Sequence, residues 1–458
     1  MIFKLAWRNA CRSAGDYFVY VMTVIILAAL LCLSHCVAAV GQRQAGFQTT
    51  SLPLLIVVIL VLLVGVLNRF IVAQRAQELA VYLLMGMEKS RLISLFLLEL
   101  FGIGIVCCGI GIFLGCGAAA ILFSEQMSFA GVLPQLGSSA VQTAVWFLLA
   151  QLLSAYPVYR KLSRLQIRQL FMEYRRLLPP DPEKQKYWRR RLWGSLSVYV
   201  FLLILMVIGK EEIVMIAIAF IAVPLLISIY AFYQYLAAAA SGLRRDCPAI
   251  LLEKDRLLTL AEFTASANKD IILNSVFCAC LIFAFTAFCF GTLLFTEGLV
   301  IYDPQPQRRM GFLQINIGLI FLVLYFSMLS LTQILKLRRQ TRSFDILCSL
   351  GKSQTALNRW LDRQIVINLG LPVLMSIVLL GIAAPFVNFE LNRVIPSGMQ
   401  NILFQIAGIF ALCFSGLYGI YACAAIVYSR RCLRRSSTQP KKKKYKKRTR
   451  RKKPKRKK

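Results

Sequence analysis

Apolar residues along this chain come in unbroken blocks of Leu, Ile, Val, Ala and Phe, not at the spacing of a half-buried strand or surface helix. The blocks fall at 17–40, 53–73, 92–123, 139–159, 192–208, 213–236, 271–295, 312–335, 365–388 and 402–428. About twenty apolar residues make a helix long enough to cross roughly 30 Å of hydrocarbon. Lipid admits only helices and closed barrels, because every backbone group must be paired within the protein. Continuous blocks, rather than alternation over about ten residues, select helices. The pattern predicts an all-α integral membrane protein of ten spans.

Charge tests that count. Of 54 Lys and Arg, only Arg43, Lys210, Arg308, Arg309 and Arg393 fall in loops 41–52, 124–138, 209–212, 296–311 and 389–401. Basic residues are retained on the cytoplasmic side, so these loops face out and both termini face in. Composition agrees, with 58% hydrophobic residues among 458 and a mean hydropathy of +0.66. Lys4, Arg8 and Arg12 precede the first block as in a signal peptide, but a run of 17–40 exceeds the roughly 7–15 residues of a signal core. His35 in "LSHC" stands where a lipoprotein site needs a small residue. The first span is therefore retained. None of the fourteen cysteines lies in an external loop, which indicates no disulfide framework. The C-x-C at 278–280 has no second pair, so packing is its reading rather than metal binding.

Two segments repeat. "AQELAVYLLMGMEKSRLISLFLLE" at 76–99 and "TRSFDILCSLGKSQTALNRWLDRQ" at 341–364 align without gaps when Gly86 meets Gly351. Leu79 then meets Phe344, Val81 meets Ile346, Met85 meets Leu350 and Leu92 meets Leu357. The approaches "FKLAWRNACRSAGD" at 3–16 and "LTLAEFTASANKD" at 258–270 are also alike. Two parallel four-span repeats follow, 1–165 and 256–430, separated by a basic cytosolic linker and two-span hairpin at 166–255. The tail 431–458 is basic without a single acid and is expected to be disordered and cytosolic. It can attract anionic lipid or ribosomal RNA nonspecifically, and no specific nucleic-acid role is expected.

Leu79, Tyr82, Leu83 and Met85–Met87 share one side of a helix, with Arg75, Glu78 and Lys89 on others. This predicts a short amphipathic helix lying at the cytoplasmic interface and stopped by Gly86. A cytosolic machine gripping such a handle tilts two spans at once. Phe344, Leu350, Gly351 and Lys352 are the corresponding positions of the second copy.

The stretch "QRAQELAVYLLMGMEKSRLISLFLLE" resembles the R-x-x-E…L-x-x-x-G…E signature of FtsX-like ABC transporter permeases, with Arg75, Glu78, Gly86 and Glu99 at its positions. The four, two, four arrangement of spans resembles the BceB-type branch, whose relatives work in antimicrobial peptide resistance. In the second repeat Ser343 and Gln364 replace the signature acids. The branch's large extracellular domain is replaced by "TEGLVIYDPQPQRRMG", so peptide capture and signalling to a sensor histidine kinase lose their usual carrier. The resemblance implies a multi-pass protein of the bacterial cell membrane and a separate cytosolic ABC ATPase pair. ATP and Mg2+ then belong to that partner, with no cofactor or catalysis in this chain. It also implies an amphipathic substrate, a peptide or lipid-linked molecule reached within the bilayer. "SLGKS" at 349–353 lacks the first glycine of a phosphate-binding loop and follows no strand.

Glu99 falls inside the third span, where it is either functional or snorkels and pairs with Lys89 or Arg91. Gly111-x-x-x-Gly115 reads as close helix packing. Pro157, Pro224, Pro372 and Pro385 are candidate bends, and His35 a buried hydrogen-bonding residue. An ion-driven transporter wants charge near the midplane, and the span centres are nearly devoid of acids. A regulator that passes an ATPase signal to a membrane partner is the remaining alternative. The topology predicts that Gln305→Cys and Ser353→Cys, in a cysteine-free background, label from opposite sides of intact cells. Same-sided labelling breaks both the ten-span count and the repeat.

Overall fold

The computed structural model describes residues 14–45, 51–123, 129–164, 182–209, 217, 220–246, 256–296, 304–351, 353–394 and 401–438. Among these residues ten long helices follow one another: α1 (Ala14–Ala45), α2 (Ser51–Leu84), α3 (Lys89–Phe123), α4 (Phe129–Arg164), α5 (Gln185–Ile208), α6 (Ala222–Asp246), α7 (Arg256–Phe295), α8 (Pro304–Ser349), α9 (Gln354–Val394) and α10 (Ile402–Thr438). No strand occurs among the described residues. The protein is an all-α integral membrane protein, as the apolar blocks require.

Nine of these helices are long and apolar enough to cross a membrane. In α2, where the second span is expected at 53–73, the apolar part found among the described side chains is Pro53–Arg69, and Phe70, Ile71, Val72 and Ala73 continue the same block. The sixth span, expected at 213–236, is found at Ala222–Leu243. Residues 1–13, with most of the approach segment at 3–16, lie outside the described residues, as do residues 165–181 of the linker. α10 runs on to Thr438, so 431–438, expected to be disordered, is helical. The rest of the basic tail lies outside the described residues.

α1 is central and packs along α3, α4, α2 and α8, joining the two halves. Its crossing with α3 is set by Gly111 and Gly115. A Cβ at Gly111 would sit 2.5 Å from the Ala28 Cβ, and one at Gly115 2.6 Å from the Ala29 carbonyl oxygen. The packing reading of this glycine pair is thus borne out. In the second half the tight crossing is instead α7 on α8, where Gly291 and Gly311 back onto each other. Both halves contribute to one apolar core, and α5 and α6 pack on α7 and α9 through Tyr199, Ile229, Tyr233 and Leu379.

Several polar groups in the first half pair across helices, which lowers the cost of holding them in hydrocarbon. Gln151 Nε2 donates to the Tyr20 hydroxyl at 3.0 Å, and Asn68 Nδ2 to Ser154 Oγ at 3.3 Å. His35 Nδ1 lies 3.0 Å from the Leu31 carbonyl and 3.2 Å from Thr143 Oγ1, the hydrogen-bonding role expected of it. Helix ends are tied on both sides. Arg393 donates to the Val207 carbonyl at 3.0 Å, and Asn388 to Asn401 at 2.8 Å. At the opposite ends Lys89 Nζ donates to the Ser163 carbonyl at 2.6 Å, and Arg430 clasps Asp362.

Gly115→Ala is expected to lower stability by about 1–3 kcal/mol, because a methyl group would press on backbone. Gly117→Ala, where a Cβ meets nothing within 4 Å, is the control. Equal melting temperatures for the two variants in detergent would contradict the α1–α3 crossing.

Candidate functional site: two helix tips of one design

α2 does not stop at the end of its apolar part. It continues past the apolar block 53–73 from 74 to 84, adding about 16 Å at 1.5 Å per residue, before turning into α3. α8 likewise runs beyond Leu337 to Ser349, about 18 Å more. The handle expected to lie flat at the interface is therefore a stalk continuous with its span. Hydrogen bonds along a helix are made residue by residue, so an unbroken run of good helix formers has no reason to bend at the bilayer surface.

Each stalk ends the same way. The Gly86 amide donates to the Leu83 carbonyl at 3.1 Å and the Met87 amide to the Tyr82 carbonyl at 3.1 Å. Together they form a Schellman cap, which needs a left-handed residue at its centre. Gly86 has φ 88° and Gly351 has φ 86°. The Gly351 amide donates to Cys348 at 3.1 Å and the Leu350 amide to Ile346 at 3.0 Å, as Met85 does to Val81. The next helix starts in register too, through Leu92 to Glu88 and Leu357 to Ser353. The gapless alignment is thus reproduced in three matching backbone bonds, those donated by Met85 and Leu350, Gly86 and Gly351, and Leu92 and Leu357.

Burial corrects the expected docking face. Leu79 is 2% exposed and Phe344 1%, so both are core residues and neither fills a partner's groove. Tyr82 and Leu83 are half-buried against the same core. The apolar side chains turned outward are Val81, Leu84 and Met85 on the first tip, and Ile346 and Leu350 on the second. Met85 is 78% and Leu350 76% exposed. Their spacing of three and four residues marks one helix face, a signal present in the sequence and obscured by the equally apolar inner face. Glu78 and Gly86 are exposed, and Gly351 is as well. Lys89 is engaged by the end of α4 rather than free for a partner, and Lys352 lies outside the described residues.

The first tip has a charged root. Arg75, buried on α2, donates through Nη1 to Glu99 Oε1 of α3 at 2.8 Å and through Nε to Glu78 Oε2 at 3.0 Å. Glu99 is buried as well. Its partner is Arg75, not Lys89 or Arg91; Arg91 pairs with Glu88 at 3.0 Å. A buried charge is tolerable only when paired, so this bridge ties the two arms of the hairpin across their seam. The second tip has Gln364 where Glu99 stands, buried but uncharged. There the arm α9 is held to α10 by Asp362 and Arg430 instead, a contact between residues 68 apart that no local pattern announces.

These features define a multi-pass membrane protein in which two helices, α2 and α8, each run on past their apolar stretch to a glycine-capped tip. Residues 50–167 match the family described as FtsX-like permease C-terminal. The match covers α2, α3 and α4 with the first tip, about a quarter of the chain. No curated protein matches the chain.

Glu99→Gln leaves the buried Arg75 without its main counter-charge and is expected to destabilise by about 3 kcal/mol. Arg75→Met combined with Glu99→Leu removes both charges and should recover most of that loss. A double variant no more stable than Glu99→Gln, by thermal unfolding in detergent, would show that the two groups do not act as a pair.

Proposed function

We propose that this chain is the membrane subunit of an ATP-driven, FtsX/BceB-like transporter. A separate cytosolic ABC ATPase pair grips the two tips and moves their spans in the bilayer. The observation that carries this reading is the duplicated tip, with two exposed apolar faces on stalks closed by the same glycine cap. An exposed Met85 or Leu350 standing off the membrane contributes little to folding and much to association. The FtsX-like match spans the first tip and supports the same partner class. The loop charges support a cytosolic placement of both tips.

The tips differ in their roots, so the two ATPase contacts are not equivalent. The first transmits through the Arg75–Glu99 bridge to α2 and α3 together. The second reaches α9, and through Asp362 and Arg430 also α10. The cargo is an amphipathic molecule, a peptide or lipid-linked compound, taken from within the membrane. Such a molecule reaches the lipid-facing helices without an external collector.

The full-length chain, tagged and purified from its native membranes, is expected to carry ATP hydrolysis. Met85→Asp with Leu350→Asp should remove that activity while leaving membrane insertion intact. A buried carboxylate at each contact costs several kcal/mol, enough to dissolve a contact of about micromolar strength. Met85→Asp alone should weaken recovery more than Leu350→Asp, because the first tip retains its charged root. Undiminished ATP hydrolysis in the double variant would sink the coupling role of the tips.

A further inference from the structure

The start of α5 carries a charge cluster that the tips leave unused. Lys184, Lys186, Arg189, Arg190 and Arg191 are all exposed there, and Glu183 is the one acid between 182 and 208. None of the ion pairs among the described residues involves any of these cations. Cations at other helix ends are engaged: Lys89 by a carbonyl of α4, Arg91 by Glu88 and Arg430 by Asp362. Arg191 is instead laid over aromatic rings, its Cζ 4.8 Å from the centroid of Tyr187 and 5.7 Å from that of Trp188. Trp188 packs edge-on against Tyr230 of α6 at 5.8 Å, and Gln234 Nε2 donates to the Tyr230 hydroxyl at 2.8 Å. A guanidinium positioned by ring contacts keeps its N–H fork for a bidentate acceptor such as a phosphate.

The cluster is continuous with a lipid-facing surface. Lys186, Arg190, Trp193, Ser197, Phe201, Ile204 and Ile208 are all exposed and recur every three or four residues, so they form one stripe along α5. From the start of the helix the stripe passes from two cations to an indole and then to apolar side chains. That is the order of headgroup layer, interface and hydrocarbon. Trp193 is 66% and Phe201 58% exposed, and α5 has only 17% of its apolar window buried. Depth agrees. Between Arg191 and Lys210 the sequence leaves only 192–209, about 27 Å of helix for roughly 30 Å of hydrocarbon. A span that short draws its flanking cations down to the level of the phosphates. Cations standing in bulk water would suit any soluble polyanion; these are level with lipid heads and joined to the surface that lipid chains cover.

We infer that the start of α5 is a seat for an anionic phospholipid of the cytosolic leaflet. Arg190 and Arg191 hold its phosphate, with Lys186 and Arg189 close by, and its acyl chains lie along Trp193 and Phe201. The head must carry net negative charge, because a zwitterionic head brings an ammonium group into a cluster of cations with one acid beside it. The seat lies outside the stretch that matches the FtsX-like family. Below it α5 packs through Tyr199 against Leu379 of α9, so a bound lipid pins the hairpin to the second half at a fixed depth. The seat requires neither the tips nor an ATPase and goes beyond the transport reading.

Native mass spectrometry of the full-length chain in detergent tests this, with phosphatidylglycerol and phosphatidylcholine of matched acyl chains offered at equal concentration. The wild-type chain is expected to retain phosphatidylglycerol about tenfold more than phosphatidylcholine. Each cation removed should weaken retention about fivefold, so Arg190→Gln with Arg191→Gln should bring phosphatidylglycerol down to the level of phosphatidylcholine. Arg359→Gln with Arg363→Gln removes the same charge from exposed positions on α9 and should leave retention unchanged. Equal retention of the two lipids by the wild-type chain overturns the proposal, whether or not a variant folds. An equal loss in the α9 variant also overturns it, since retention would then follow net charge and not a seat. Displacement of phosphatidylglycerol by an equimolar short RNA would assign the cluster to soluble polyanions and overturn the lipid seat as well.

Discussion

Hydrocarbon leaves a backbone amide no partner but its own chain, and that constraint organises the whole molecule. It forces the apolar blocks into helices and confines turns to their ends. It also requires a polar side chain within a span to find a partner, on a carbonyl of its own helix or on another helix. Function is therefore concentrated in two kinds of place. One is the helix tips, where the chain is free to present side chains outward. The other is the interior crossings, where a polar group or a missing Cβ decides which helices touch.

The two halves answer this constraint with the same turn and different fastenings. Both tips close on a left-handed glycine with matching hydrogen bonds. Behind them, the first half joins its hairpin arms with a buried arginine–glutamate bridge. The second half, without those charges, clasps the next span near the surface through Asp362 and Arg430. Duplicated geometry with unequal roots means that equal pushes on the two tips move different sets of helices.

Packing divides the protein into stiff and yielding parts. α1 and α3 meet so closely at Gly111 and Gly115 that a single methyl group would strike backbone. Such contacts transmit displacement without slack. α10 touches α7, α8 and α9 but leaves most of its surface to lipid.

Much of this was legible in the residues. Block length and charge asymmetry determine the all-α membrane class, because burial in lipid leaves one regular structure for a continuous apolar run. The gapless match of Gly86 to Gly351 located both tips, since a Schellman cap demands a residue without Cβ. Gly111 and Gly115 announced a close crossing, though not that α1 was the partner. What the residues did not decide was facing. Leu79, Phe344, Val81 and Met85 are equally apolar, and only packing into the shared core turned the first two inward. On paper Glu99 had Lys89 and Arg91 as its candidate partners. The close approach of α2 and α3 selected Arg75, because a pair across two helices depends on distances that one-dimensional spacing does not contain.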